Sequence, residues 1–455
     1  MPTLSVIMIV KDEEAWLSDC LASVRGIADE IVVADTGSTD STPEIARRFG
    51  AKVRSVPWTD DFADARNRGM AFATSDWLLH LDADEVLDEE GAGRIRAIVD
   101  QDGAGADAIE VTLANYCSES RSWRWVPVAL GDRMARGYPG YIAVQLVRLF
   151  RNHRGVEYRE AVHENIGESL RERGLNVRRE PVVVHHYGFG ARPKGPGPKD
   201  YFYLKLNRKK VRDRPTDAKS WQDLGAQLIA VGEFDEGEAA CRRALELCPD
   251  FIDAAASLAN VLLIRNALDE AREVLQPFAV GEGASPHMVT ALAVVHMMQG
   301  RLAEARDLLQ RISAEAPHVV IAQLYLARVL DLIGDVSGAR GQLRHAMTVA
   351  PGLTEIRDRL AAHDLREAGE ACCLQGDPKA ALEMFVQALR LDPEDPLIHN
   401  GLGVVLTQMG LRDKAKESFT RALRFAPAFT GARANLQHLD RGGAVPDTSS
   451  SNEPR

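Results

Sequence analysis

The chain has 455 residues, of which 45% are hydrophobic and 27% are charged. This composition is typical of a folded protein, and a length of about 150 residues per domain predicts two or three domains. The 66 acidic residues outnumber the 55 basic residues and give a net charge of −11. This balance argues against a protein that wraps nucleic acid, because that function needs a basic surface.

No membrane or targeting segment is predicted. No apolar run approaches the roughly 18–20 residues of a membrane span, and the N-terminus turns acidic without the basic region of a signal peptide. The six cysteines are scattered, without CxxC pairs or the close Cys–His spacing of a zinc site. These features favour a reducing, cytoplasmic location.

Residues 1–190 alternate between strand-like and helix-like segments. Strands are predicted at 4–10, 30–35, 52–58 and 76–84, with helices at 13–25, 43–49 and 64–73. The alternation predicts an α/β domain with a parallel sheet covered by helices on both faces. Such sheets bind ligands at the carboxyl ends of their strands, which here are Lys11-Asp12, Asp35-Thr36-Gly37 and Asp82-Ala83-Asp84.

A basic segment rich in glycine and proline follows at 191–217. From Arg192 to Arg214 it holds nine Lys or Arg residues and two Asp residues. We expect a mobile hinge that leads into a linker helix. Its charge is either solvated or directed at a diphosphate or an acidic surface.

Residues 218–441 repeat with a period of 34 residues. The glycines that mark the period are Gly232, Gly300, Gly334, Gly376 and Gly410, and prolines at 249, 317, 351, 393 and 427 keep the same spacings of 68, 34, 42 and 34. Since 68 is twice 34, one repeat is hidden at 252–285, where Asn266 and Gly283 replace the marker residues. The spacing of 42 contains an eight-residue insertion at 354–361.

This period resembles that of tetratricopeptide repeats, in which each unit is a helix–turn–helix. It predicts an all-α superhelix of six repeats followed by a capping helix that ends near residue 441. The remaining tail, 442–455, is polar and is expected to be disordered.

Four residues of the first domain point to chemistry. Asp82 and Asp84 follow an apolar strand, and two carboxylates so placed suit a hard cation such as Mg²⁺ or Mn²⁺ that also binds substrate phosphates. Asp35 precedes a small-residue turn, and Arg66 lies on the third helix. Each has a structural alternative, as a turn aspartate or a surface ion pair, but their combination favours a site.

Competing motifs are missing from the sequence. No Gly-rich loop follows the first strand, no GxxxxGK[ST] is present, and HENIG is not HExxH. A dinucleotide-binding domain, a P-loop enzyme and a zinc protease are therefore not supported.

Residues 1–190 resemble a family 2 glycosyltransferase with the GT-A fold, through SVIMIVKDEE, DEIVVADTGSTDST, DDFADARNRG and DWLLHLDADE. Bacterial relatives of this type often carry tetratricopeptide repeats behind the catalytic domain. The resemblance implies that Asp35 contacts uracil, that Arg66 contacts the nucleotide and that Asp82 lies near the ribose and metal. It implies that Asp84 binds the metal that bridges the diphosphate. Glu14 is a further candidate for the nucleotide pocket.

The resemblance also implies an inverting reaction with one general base. The segment VEYREAVHENI (156–166) offers Glu157, Glu160, His163 and Glu164, of which we favour Glu164 with the adjacent His163. A structural hydrogen-bonded pair is the alternative role of these two residues.

Further candidates lie in strand-like and aromatic segments. Strand alternation in PVVVHHYGF (181–189) puts His186 on the face of Val182 and Val184. At this position His186 has three alternative roles: it would complete the metal shell, contact the diphosphate or be a core histidine. Four aromatic residues suit either core packing or stacking on a sugar acceptor: Trp123, Trp125, Tyr138 and Tyr141.

The sequence therefore predicts a metal-dependent, inverting glycosyltransferase that moves a hexose from a nucleotide sugar, with UDP as the expected nucleotide. The acceptor would be a peptide or protein presented by the repeats, which also offer a surface to a protein partner. In one alternative the acceptor is a lipid-linked or lipopolysaccharide-core saccharide, and the basic segment contacts an anionic membrane. In another the repeats form a non-catalytic scaffold behind a relic domain, which the intact donor-side residues disfavour.

Overall fold

The computed structural model describes residues 1–118, 125–190, 196–281 and 284–441. Its contacts divide the chain into two compact units: one is Met1–Val126 with Asp132–Pro249, and the other begins at Asp250 and includes Pro127–Gly131. The predicted boundaries at 190 and 217 stay predictions. Trp123, residues 191–195 of the basic segment, Gly283 and the tail 442–455 lie outside the described residues.

The α/β part consists of a nine-stranded sheet and its helices. The strands are β1 (Leu4–Val10), β2 (Glu30–Asp35), β3 (Lys52–Ser55), β4 (Trp77–His80), β5 (Glu85–Leu87), β6 (Ala108–Cys117), β7 (Trp125–Pro127), β8 (Gly140–Arg151) and β9 (Val177–His186). The helices are α1 (Leu17–Val24), α2 (Thr42–Arg48), α3 (Phe62–Met70), α4 (Glu89–Asp100), α5 (Gly167–Glu172) and α6 (Pro198–Asp213).

The sheet order is β3-β2-β1-β4-β8-β6-β9-β5, with β7 paired to β8 off this path. The strands β1 to β4 pair in parallel, as the sequence predicts. The sheet is nevertheless mixed, because β8 is antiparallel to β4 and β6, and β5 is antiparallel to β9. The third and fourth strands end earlier than predicted, at Ser55 and His80, so Asp82 and Asp84 lie in the turn between β4 and β5.

Helices cover both faces of the sheet. Met8 and Val10 of β1 point to one face and pack with Leu21 of α1 and Ile95 of α4. On the other face, Ile7 packs in a cluster that includes Ala63 of α3. This alternation buries β1 on both sides, which accounts for its continuous apolar sequence.

The rest of the described chain is helical. The helices are α7 (Ala218–Ala230), α8 (Phe234–Leu247), α9 (Ile252–Ile264), α10 (Leu268–Ala279), α11 (Pro286–Met298), α12 (Leu302–Glu315), α13 (Val320–Leu332), α14 (Val336–Val349), α15 (Thr354–Leu374), α16 (Pro378–Leu391), α17 (Pro396–Gln408), α18 (Arg412–Phe425) and α19 (Thr430–Asp440). The predicted fold class, an α/β domain followed by all-α repeats, is confirmed. Among the described helices, none is long and apolar enough to cross a membrane.

The repeat period has a visible physical cause in the turns between paired helices. Each marker glycine has a positive φ, between 76° and 88°, which L side chains rarely adopt. Asn266 takes this place in the hidden repeat with φ 57°, consistent with the tolerance of asparagine for left-handed backbone. The eight-residue insertion lengthens one helix, because α15 has 21 residues where α13 and α17 have 13.

Candidate active site

The carboxyl ends of β1 and β2 form one corner of the site. Val10 is the register partner of Asp35, so the two strands end side by side. The Asp35 carboxylate accepts a hydrogen bond from the amide of Ser38 at 3.0 Å. The loop behind it is tied to β1 by the Thr39 amide, which donates to Asp12 at 2.7 Å. Asp35 therefore lies at the strand-end edge where the sequence predicts the nucleotide pocket.

Glu13 is a residue that sequence reasoning missed. The predicted candidate Glu14 is exposed, and its carboxylate accepts a hydrogen bond from the amide of Ser41 at 3.1 Å. Its neighbour Glu13 is half-buried, and burial together with the negative charge of Asp84 raises the pKa of Glu13 to about 7. In KDEE the two glutamates are adjacent in irregular chain, so no periodic signal distinguishes them.

Asp82 and Asp84 point to different partners. One Asp82 oxygen lies 2.9 Å from Arg66 and 3.3 Å from His80, and the other lies 3.7 Å from Arg148. Burial would raise the pKa of Asp82, but Arg66, then His80 and Arg148, hold it well below the usual range. Asp82 is therefore an ionised carboxylate that compensates two arginines.

Arg66 is the hub of this network. It lies on α3, which begins after Asp61, whose carboxylate accepts from the amide of Asp64 at 2.9 Å. The side chain is 8% exposed, and its Nε donates to Glu164 at 2.6 Å while a second nitrogen donates to Asp82. The third nitrogen contacts His80. The structure thus brings together three of the predicted site residues, Arg66, Asp82 and Glu164.

Four buried residues that sequence reasoning did not single out complete the network: His80, Glu85, Arg148 and Tyr158. Arg148 pairs with Glu85, and the Tyr158 hydroxyl is 2.9 Å from His80 Nδ1. Burial and the charges of Arg66 and Arg148 lower the pKa of His80 well below its usual range, so its ring is neutral. Burial raises the pKa of Glu85 to about 7, against the opposing charge of Arg148. The sequence did offer one signal for Arg148, because it is the only charged residue in the otherwise apolar segment LVRLF (146–150).

Asp84 pairs with His186 across 102 positions of sequence. The His186 Nε2 lies 3.1 Å from the Asp84 carboxylate, and Nδ1 lies 2.6 Å from the Asn115 side-chain oxygen. The pairing of β5 with β9 aligns Glu85 with His186 and so brings the two segments together. A Cβ at Gly188 would collide with the Asp84 carboxylate, so the glycine of the His-Tyr-Gly segment leaves room for this pair.

The adjacent His185 has a structural place. Its Nδ1 lies 2.9 Å from the hydroxyl of Tyr116, and the two rings stack with centroids 5.8 Å apart. Tyr138 and Tyr141 also pack against Tyr116, at centroid distances of 6.2 and 5.7 Å. Trp125 is buried and contributes to core packing, whereas Tyr138 and Tyr141 are half-buried.

The predicted metal donors do not converge on one point. In the described ranges, ligand-type atoms of three residues lie within 4.8 Å of one another at His363, Asp364 and Glu367, and the strand-end residues form no such group. Asp82 is turned toward the arginines, whereas Asp84 and His186 offer an oxygen and a nitrogen side by side. The pair Asp84–His186 therefore fits a divalent cation, and Asp82 does not join it in this arrangement.

His163 has other charged neighbours besides Glu164. It interacts electrostatically with Asp223, Lys219 and Lys210, which belong to α6 and α7. The two predicted catalytic residues, although adjacent in sequence, therefore have different surroundings.

Comparison with known proteins identifies the class of the two parts of the chain. Residues 5–157 match the model of glycosyl transferase family 2, and residues 290–346, 369–410 and 398–429 match models of the tetratricopeptide repeat. The chain carries a glycosyl transferase family 2 domain at its N-terminus and tetratricopeptide repeats in its second half, which confirms the resemblance seen in the sequence.

Three similar proteins cover different shares of this chain. A TPR repeat-containing protein of Synechococcus elongatus is 31% identical over 93% of this chain and 92% of its own length. The SPbeta prophage-derived glycosyltransferase SunS of Bacillus subtilis is 25% identical over 58% of this chain and 60% of its own. An uncharacterized glycosyltransferase of Rickettsia typhi is 34% identical over 28% of this chain and 44% of its own.

Proposed function

We propose that this glycosyltransferase moves a hexose from a UDP-linked sugar to a peptide or protein acceptor presented by its repeats, with inversion. The observation that supports this most is the Asp84–His186 pair beside Glu13 and Asp82, at the strand-end edge that also holds Asp35. Several acids in one place suit a donor whose diphosphate is neutralised by a cation. We assign Asp35, Arg66 and Asp82 to the nucleotide, with exposed Glu14 at its margin.

A divalent cation, Mn²⁺ or Mg²⁺, would be held by Asp84 and His186 and would supply positive charge to the leaving diphosphate. The chain itself orients these two donors: Asn115 fixes the His186 ring through Nδ1, which leaves Nε2 directed at Asp84. Gly188 keeps the space beside Asp84 open.

Glu164 remains our candidate for the general base. Its carboxylate is mostly buried and is oriented by Arg66, which also pairs with Asp82. Arg66 therefore joins the donor side of the site to the acceptor side. His163 is the second candidate for the general base, and its charged neighbours include Lys210 of α6 and Asp223 of α7.

The basic segment favours a polypeptide acceptor over a membrane-bound one. In α6, Lys205 pairs with Asp60 and Arg208 with Glu236, while the buried Lys210 pairs with two carboxylates. Three of the six basic side chains of α6 are thus paired within the protein, which leaves less charge for an anionic membrane. The six cysteines are present as thiols, which supports a cytoplasmic location.

Thermal unfolding with UDP, with and without Mn²⁺, tests the donor site. Ligand at a hundredfold excess over its dissociation constant stabilises the folded state by about 2.7 kcal/mol. We expect a manganese-dependent rise of the melting temperature that is lost in Asp84→Asn, and a fall of sugar transfer by about 10²–10³-fold in that variant.

The exposed acid Asp413 on α18 supplies the matched control, since Asp413→Asn should keep both properties. The absence of any shift with UDP, GDP or CDP would contradict the proposal and favour a repeat scaffold.

A further inference from the structure

The segment that carries Glu164 is held from two sides. Residues 157–166, here termed the Glu164 loop, connect the end of β8 with α5. Within it, Arg159 and Asn165 exchange two backbone hydrogen bonds of 3.0 and 3.2 Å, which close the loop on itself. The position of Glu164 therefore depends on what anchors this closed loop.

One side of the Glu164 loop is fixed to α3. The backbone of Tyr158 exchanges hydrogen bonds of 2.7 and 2.9 Å with the Asn67 side chain, and the carbonyl of Ala161 accepts from the amide of Phe62 at 3.0 Å. On this side Glu164 reaches Arg66 at 2.6 Å.

The other side is fixed to the linker helix and the first repeat. Lys210 of α6 lies 2.5 Å from the Glu160 carboxylate of the loop and 2.8 Å from the Asp223 carboxylate of α7. The side chains of Lys210, Glu160 and Asp223 are 3%, 11% and 5% exposed. Arg214 adds a second cation, at 2.8 Å from Glu160. All of these residues belong to the same compact unit.

The loop needs such an anchor because its backbone is strained. Glu160 has φ 77° and His163 has φ 55°, in the left-handed region that residues other than glycine rarely adopt. Such conformations persist only where surrounding contacts enforce them. Without Lys210, Glu160 would keep only Arg214, whose side chain is 37% exposed, and a buried carboxylate with less compensation is drawn toward water. Both effects would move the loop if Lys210 were neutral.

We propose that Lys210 is a positioning residue: by bridging Glu160 and Asp223 it fixes the Glu164 loop to the first repeat and so sets the place of Glu164 beside Arg66. This inference rests on the proposed function for its catalytic consequence, but the anchoring itself does not. It gives the first repeat a part in building the acceptor side of the site.

Lys210→Met tests the anchor, and Lys219→Met is the matched control. Lys219 contacts the same Asp223, but its side chain is 52% exposed and its hydrogen-bond partners, Gln222 and Asp223, both lie on α7. Hydrogen–deuterium exchange of residues 157–166 should be about tenfold faster in Lys210→Met and unchanged in Lys219→Met. The kcat for transfer should fall about tenfold or more with the KM for the donor within about twofold, and Lys210→Arg should recover most of it.

The outcomes separate the two proposals. Unchanged exchange in Lys210→Met, or faster exchange with unchanged kcat, would overturn the positioning role. A wild-type chain without transfer activity would refute the proposed function, whereas faster exchange in Lys210→Met would still support the anchor. If Lys210→Met does not fold, Glu160→Gln removes the same ion pair and should also accelerate exchange in the loop.

Discussion

The strand-end site and the helical repeats are assembled from contacts of very different range. In the site, Arg66 pairs with Glu164 across 98 positions, and Asp84 pairs with His186 across 102. In the repeats, glycines on a first helix lie against the residue sixteen positions later on the second helix, as Gly225 does with Cys241, Gly369 with Phe385 and Gly403 with Phe419. The first kind of contact leaves no period in the sequence, whereas the second repeats with every unit.

The repeat contacts also show how size is matched. A Cβ at Gly403 would lie 2.5 Å from the Phe419 ring, and one at Gly369 would lie 3.1 Å from the Phe385 ring. At the same places, three other repeats combine alanine with leucine, all buried: Ala259 with Leu275, Ala293 with Leu309, and Ala327 with Leu343. In these five repeats glycine accompanies phenylalanine and alanine accompanies leucine, whereas in the first repeat Gly225 accompanies the smaller Cys241.

Buried charge is where the two regions become similar. The site encloses two arginines, and the repeats also enclose a charged cluster on α13 and α15. There Arg366, whose side chain is 3% exposed, donates to Asp331 at 2.7 Å and to Glu370 at 3.0 Å. His363 shares the same Asp331 oxygen at 3.1 Å. The comparison therefore predicts that this cluster responds to mutation as an ion network and not as an apolar core.

The largest expected effect on stability follows from neutralising this cluster. Arg366→Met leaves Asp331 buried without its closest cation, and breaking a buried pair in this way costs about 3–5 kcal/mol. Chemical denaturation monitored by circular dichroism measures it. The exposed pair Arg421–Glu417 on α18 is the control, since Arg421→Met should change stability by about 0.5 kcal/mol or less. Equal losses in the two variants would show that burial is not what matters.

The fold was predictable to the extent that local patterns determine it. Apolar runs predict β1, β2 and β4, and the 34-residue period predicts the helix pairs, including the repeat with Asn266 in place of glycine. The antiparallel strands β5 and β8 were not predicted. Their partners are fixed by tertiary packing, and alternation of strands and helices indicates only parallel pairing.

The site was predictable where a residue ends a strand. Asp35, Asp82 and Asp84 lie at strand ends, which any α/β pattern marks as a binding edge. Glu13, Glu85 and Arg148 were missed, because their importance comes from burial beside other charges and not from spacing. For the same reason the sequence does not reveal that Glu164 is paired with Arg66.

A pH series sharpens the comparison, because one titrating group in each region should contribute to stability over a different pH range. Burial alone would raise the pKa of Glu30 in β2, but hydrogen bonds from Lys52, Ser5 and Thr74 lower it to about 2. Its contribution, about 3 kcal/mol at most, is present above the unfolded pKa of 4.5 and is lost as the pH falls toward 2.

In the repeats, one group whose protonation should change the stability is a histidine. Burial lowers the pKa of His287 on α11 from 6.5 to about 4, so the unfolded chain binds a proton first and stability falls between these values. Urea denaturation from pH 7 down to pH 3 measures both contributions. His287→Gln should lack the loss of stability between pH 6.5 and 4, and Glu30→Gln should lack the loss that begins below pH 4.5. A loss at the same pH in both variants would contradict the assignment.

The smallest predicted effect tests the size matching directly. Gly403→Ala should destabilise the repeats by about 1–3 kcal/mol, because the new methyl group meets the Phe419 ring. Phe419→Leu should cost a similar amount through the space that it leaves.

The double variant reproduces the alanine–leucine pair of three other repeats. Its loss of stability should therefore be smaller than the sum of the two single losses, by about 1 kcal/mol or more. Denaturation of the four proteins measures this coupling. Strict additivity would mean that the sixteen-residue partners do not select each other's size, and that the glycine at 403 has another cause.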